Sequence, residues 1–168
     1  MKKLSLTITF VVFLLISSNG TQAQTPQAKL NQLELVKQFV GTWNNETKKD
    51  TTMLVEITCF KNGAYELNNK TITKGKTISE RKTLWGYDKK TGKFILGSIW
   101  NNSPDIALTV LYFTSLNTCE YYPYEYISNP EKAGSKTVYE FKSPDQFIST
   151  TYRNNKPAGI SGTYNRIK

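Results

Sequence analysis

The side chains that most enzymes use to move protons are scarce in this chain of 168 residues, which holds no histidine and two cysteines. Histidine is the commonest general base, the usual partner of a nucleophilic serine and the commonest metal ligand. With Cys59 and Cys119 as the sole thiols, an ordinary structural zinc site has no ligand set. The sequence contains no Gly-rich phosphate loop and no dinucleotide fingerprint. Paired carboxylates could still do glycosidase-type work, and Glu56, Glu66 and Glu80 are candidates by position. The strand pattern described below puts Glu56 and Glu66 on a polar outer face, where glutamate is ordinarily solvated. The expectation is a protein without catalytic residues, metal or cofactor.

What remains is binding chemistry. Arg81, Thr83, Trp85 and Tyr87 alternate along one segment, and Phe94, Leu96, Ser98 and Trp100 alternate along the next. If Tyr87 opposes Phe94 across a turn at residues 88–93, then Trp85 opposes Leu96, Thr83 opposes Ser98 and Arg81 opposes Trp100. All eight share one face, strongly aromatic, with one cation and two hydroxyls. Trp85, Tyr87, Trp100 and Tyr112 could line a pocket for a small apolar or amphipathic molecule, with Arg81 pairing with a carboxylate or phosphate head group. The same aromatics could instead fill a core.

The formal charge is +9, of which Lys2 and Lys3 supply two. It is spread thinly over lysines, and Arg81, Arg153 and Arg166 are the arginines. Arginine is the better phosphate reader, and no basic stripe is visible, so nucleic acid is not an expected partner.

The positioning elements follow from patterning. Lys2 and Lys3 precede an apolar stretch from Leu4 to Ile16, then a short polar segment ending Thr21-Gln22-Ala23. That order of parts is a secretory signal peptide over residues 1 to about 23, too short to span a bilayer, and it implies a secreted or periplasmic protein. An oxidising compartment allows a Cys59–Cys119 disulfide, and two buried thiols are the alternative. Over residues 24–40, Thr25-Pro26 reads as a helix start and Gly41 as its end. Leu30, Leu33, Val36 and Val40 recur near helical spacing between them, which predicts a helix of three to four turns covering a barrel end or its wall.

Residues 41–168 read as one domain of short strands. A three-residue loop at Lys61-Asn62-Gly63 pairs Cys59 with Tyr65 and Ile57 with Leu67, and points Cys59 inward with Val55 and Ile57. Further strands are expected near residues 105–115, 118–127, 136–142, 146–153 and 159–167, with breaks that include Ser103-Pro104. The fold class is all-β: a single antiparallel up-and-down barrel of 8–10 strands with a short N-terminal helix. In a strand, Tyr122, Tyr124 and Tyr126 would face one way, and such a surface suits a protein partner.

Gly41-Thr42-Trp43 after a short helix resembles the opening of a lipocalin or calycin barrel. Gly162-Thr163-Tyr164-Asn165-Arg166 resembles the closing strand of such barrels, where an arginine packs near the opening tryptophan. Gly86-Tyr87-Asp88, Phe94 and Gly97-Ser98-Ile99-Trp100 resemble a bacterial family of secreted lipocalin-like proteins of unknown function. The resemblance implies a barrel with a cavity, with Trp43 and Arg166 closing its base. The functional expectation is a barrel that binds a small hydrophobic or amphipathic ligand without catalysis. An envelope interaction or inhibitor module with a filled barrel is the alternative.

Overall fold

The computed structural model describes residues 30–61 and 63–168. The expected signal peptide and the Thr25-Pro26 helix start lie outside these residues. Ten antiparallel strands close into a barrel in the order β1-β10-β9-β8-β7-β6-β5-β4-β3-β2. Apart from the closure of β1 on β10, each strand pairs with its sequence neighbours, which is the up-and-down arrangement and leaves no free sheet edge. The strands are β1 (Gly41–Lys48), β2 (Thr51–Lys61), β3 (Ala64–Thr73), β4 (Lys76–Asp88) and β5 (Lys93–Trp100). β6 (Ser103–Phe113), β7 (Thr118–Pro123), β8 (Ser135–Ser143), β9 (Gln146–Arg153) and β10 (Lys156–Ile167) complete it.

Both hairpin registers read from parity are present. Cys59 pairs with Tyr65 and Ile57 with Leu67. Tyr87 pairs with Phe94, Trp85 with Leu96, Thr83 with Ser98 and Arg81 with Trp100. Inward positions are apolar and buried, as at Val55, Ile57, Trp85, Leu96 and Phe141. Outward positions of β2 and β3 include Glu56, Glu66 and Lys70, with Glu66 meeting Lys82 at 2.9 Å. This inside-apolar order places the core within the barrel.

The helix is shorter than its apolar pattern predicts. α1 (Gln32–Leu35) is a single turn capped by Asn31, and one 3-10 turn (Val36–Phe39) follows. Leu30 and Asn31 are non-helical, so no continuous helix runs from Thr25 to Val40. The segment still stops one end of the barrel. Val36 and Phe39 are buried, whereas Leu33, expected on the apolar stripe, is 38% exposed. Phe39 reaches the rings of Trp85, Phe141 and Phe147 at 5.7, 4.8 and 5.5 Å.

Other expectations are corrected. Cys59 has inward parity but is exposed, because it sits at the rim where the β2–β3 register shifts between Cys59 and Lys61. Cys119 is buried, and both thiols are free, so the Cys59–Cys119 disulfide is not formed. Pro104 lies inside β6 rather than in a break, near its start, where a missing N–H is tolerated. β7 ends at Pro123, and Tyr124–Tyr126 form a 3-10 turn. The alternation that would align Tyr122, Tyr124 and Tyr126 therefore breaks. Tyr122 is buried with Val110 and Ala133 on the outside of the wall, beneath the β7–β8 connection.

Candidate functional site

At the helix end, Trp43 is fully buried and donates from Nε1 to the Phe39 carbonyl at 2.8 Å. The Arg166 guanidinium lies over its ring at 4.1 Å and also donates to the carbonyls of Val40 and Gln38. One arginine thus ties the last strand to the opening segment by stacking and by charge-assisted hydrogen bonds.

Away from this base the interior becomes polar. On β4 the inward residues run Trp85, Thr83, Arg81, and on β5 they run Leu96, Ser98, Trp100. On β3 Leu67 is followed by Asn69, on β8 Phe141 by Tyr139, and on β9 Phe147 by Ser149. Asn69, Thr83 and Ser98 are buried, and the hydroxyls of Thr83 and Ser98 meet at 2.9 Å.

The two zones line a cavity of about 50 Å³. Phe39, Leu67, Trp85 and Phe147 line its apolar part, and Arg81, Asn69, Tyr121 and Tyr139 line its polar part. A second, more open hollow of about 240 Å³ lies at the rim, lined by the inward Asn69, Arg81 and Trp100 together with the outer-face Lys70, Glu80, Lys82 and Ile99, so Asn69 and Arg81 border both spaces. Burial holds the Tyr139 phenol far above its usual pKa, Tyr121 and Tyr164 add to the shift, and the Arg81 charge opposes it.

Two donors on this lining are unpaired. Among the described residues, Nε of Arg81 and Nε1 of Trp85 are buried without a hydrogen-bond partner. Among the described residues Arg81 has no ion pair, and its guanidinium lies 6.0 Å from the centre of the Trp100 ring. A buried donor without an acceptor costs roughly 1–3 kcal/mol, so these groups are ready to receive one.

Of the residues expected to line a pocket, Arg81 and Trp85 line the interior space, and Trp100 lines the rim space with Arg81. Tyr87 is inward but packs on Phe94 at 5.2 Å as part of the core. Tyr112 faces outward, because it is one position out of phase with the buried Leu111 and Phe113. There it donates to Glu120 Oε2 at 3.2 Å, and Lys93 Nζ sits 4.9 Å from its ring centre. Burial, with the Glu120 charge, pushes its phenol up to about 12.

Asn69, Tyr121, Tyr139 and Tyr164 line the cavity without having been expected there. Asn69 was legible, since it continues the Tyr65, Leu67 alternation. The tyrosines lie on β7, β8 and β10; Tyr164 was not legible because the β9–β10 register set at the Asn154-Asn155 turn shifts between Pro157 and Ser161. Among the described residues, no three Cys, Asp or Glu side chains gather as a metal site, and no helix is long and apolar enough to cross a membrane.

The closed all-β architecture is consistent with a lipocalin- or calycin-like barrel. No protein-family model matches the chain, and no curated protein matches it significantly.

Proposed function

We propose that this chain is a secreted or periplasmic lipocalin-like protein, of the bacterial type its motifs resemble, that binds a small amphipathic molecule inside the barrel and performs no catalysis. The single supporting observation is the interior cavity, apolar toward the helix and polar toward the rim, with Arg81 and Trp85 donors unpaired on its lining. A mostly apolar pocket with a few placed polar groups suits such a ligand. Native mass spectrometry against a panel of carboxylates, alcohols and amines of short to long chain tests the reading. Retention of one probe per barrel is expected, and a panel of which no member binds defeats it.

A second reading, an envelope interaction or inhibitor module with a filled barrel, gains from one feature of the outer wall. Leu84, Ile99, Ile106 and Leu108 are each at least half exposed and occupy adjoining outward positions of β4, β5 and β6 around Gly97. Contiguous apolar surface of this kind is a common mark of an interaction site. Leu108→Lys is expected to abolish capture of a stoichiometric partner from an envelope extract if this reading holds. If ligand binding is the function, Leu108→Lys leaves probe retention unchanged.

A further inference from the structure

We infer that the interior ligand is a small organic carboxylate, bound with its charged end inside the barrel against Arg81 and Trp85, and not a lipid. The inference rests on the cavity reading above and names the class of molecule that the cavity admits. Three observations carry it.

The first is size. The interior space is about 50 Å³, roughly a third of the 150 Å³ cavity that accommodates a benzene molecule in an engineered protein core. A long acyl chain has no room in it. A carboxylate with a few carbons does, if part of the molecule continues past Arg81 into the rim space of about 240 Å³, where Lys70, Glu80, Lys82 and Asn101 offer a long acyl chain little apolar cover.

The second is charge. Arg81 lines both spaces and has no carboxylate partner among the described residues. Nearby cations on the outer face are satisfied, Lys82 by Glu66 at 2.9 Å and Lys70 by Glu80 at 3.5 Å. A half-buried guanidinium beside neutral hydroxyls and an amide favours an anion over a neutral or cationic ligand.

The third is a pair of unmet donors. The buried N–H groups of Arg81 and Trp85 are unpaired, and both residues line the same interior space. Each lacks an acceptor, which an anion entering that space supplies. Thr83, Ser98 and the tyrosine hydroxyls can bond the remaining lone pairs, which a buried anion requires.

Calorimetry of the protein with butyrate, octanoate, butanol, butylamine and inorganic phosphate tests this. The indole N–H signals of tryptophan-labelled protein are followed in parallel by proton–nitrogen correlation, with Trp85→Phe assigning the Trp85 signal. Butyrate is expected to bind at least about tenfold tighter than butanol, butylamine or octanoate and to shift the Trp85 N–H signal, as charge-assisted bonding predicts. Arg81→Gln is expected to weaken butyrate by about tenfold or more with little change in melting temperature, and Arg81→Met, which also removes the cation, replaces it if the first variant does not fold. Butanol binding as well as butyrate overturns the carboxylate assignment and leaves the cavity reading intact. Octanoate binding more tightly overturns the size limit, and preference for phosphate overturns the ligand class. Binding that survives both arginine variants overturns the role of Arg81. If no probe of this set or of the wider panel binds, the cavity reading itself fails.

Discussion

Trp43 shows how one side chain can set the base of a barrel. It is fully buried, its indole donor is satisfied by Phe39, and its ring face is covered by Arg166. Trp43→Ala should lower stability by about 3–5 kcal/mol, since it removes a large buried side chain and leaves a cavity. Denaturant unfolding measures this, and a loss under about one kcal/mol would place the indole outside the core. Gly162 makes a different contribution. A Cβ there would collide with Nδ2 of the buried Asn45. Gly162→Ala should cost about 1–3 kcal/mol through overpacking. Much of that loss should be recovered in the Asn45→Ala background, because the two substitutions share one contact. A double mutant whose losses simply add would rule out that clash.

At the scale of elements, the stopper at the helix end decides how deep the interior reaches. It is held by polar contacts as well as by Phe39. The Gln32 side chain donates to the Phe113 carbonyl at 3.0 Å and accepts from the Phe113 N–H at 2.6 Å, so it pairs with β6 as a strand would. Gln38 donates to the Leu116 carbonyl at 2.9 Å. With these anchors retained, Phe39→Ala should leave the barrel closed but deepen its apolar floor, costing about 3–5 kcal/mol. Benzene, for which the parent cavity has no room, should then bind the variant, as calorimetry can show. A variant that binds no benzene would mean that Phe39 does not limit the cavity. The β7–β8 connection is the second element of interest. It lays Tyr126 and Ile127 on the outer wall over Tyr122, and Lys93 crosses beneath it to the Tyr122 hydroxyl at 2.9 Å and the Ile127 carbonyl at 2.7 Å.

The molecule as a whole should be sensitive to alkali. Tyr112, Tyr122 and Tyr139 all have phenols pushed upward mainly by burial, Tyr112 to about 12. A folded-state pKa above the unfolded value near 10 stabilises the fold while the phenol is protonated. That contribution is complete below about pH 10 and is lost as pH rises toward and past 12, because the unfolded chain ionises first. The melting temperature should therefore fall steeply over this range, and tyrosinate absorbance should rise together with unfolding. Tyr112→Phe should make the fall shallower. Gradual tyrosinate formation in a protein that stays folded would contradict the burial of these phenols.

By itself the chain determined its class and half of its interior. Period-two patterning and the turn at Lys61-Asn62-Gly63 specified the β2–β3 register, and the face from Arg81 to Trp100 followed from pairing across residues 88–93. These are local relations, since a tight turn leaves few registers that bury the apolar face. The helix length, the exposure of Cys59, the outward side of Tyr112 and the burial of Tyr122 were decided by closure of the barrel. Closure determines where the rim lies, which ring stops the end, and which outer residues a long connection can cover. None of these depends on neighbours in sequence. The unpaired donors of Arg81 and Trp85 belong to the same class of fact, because a missing partner is defined only once every surrounding strand is in place.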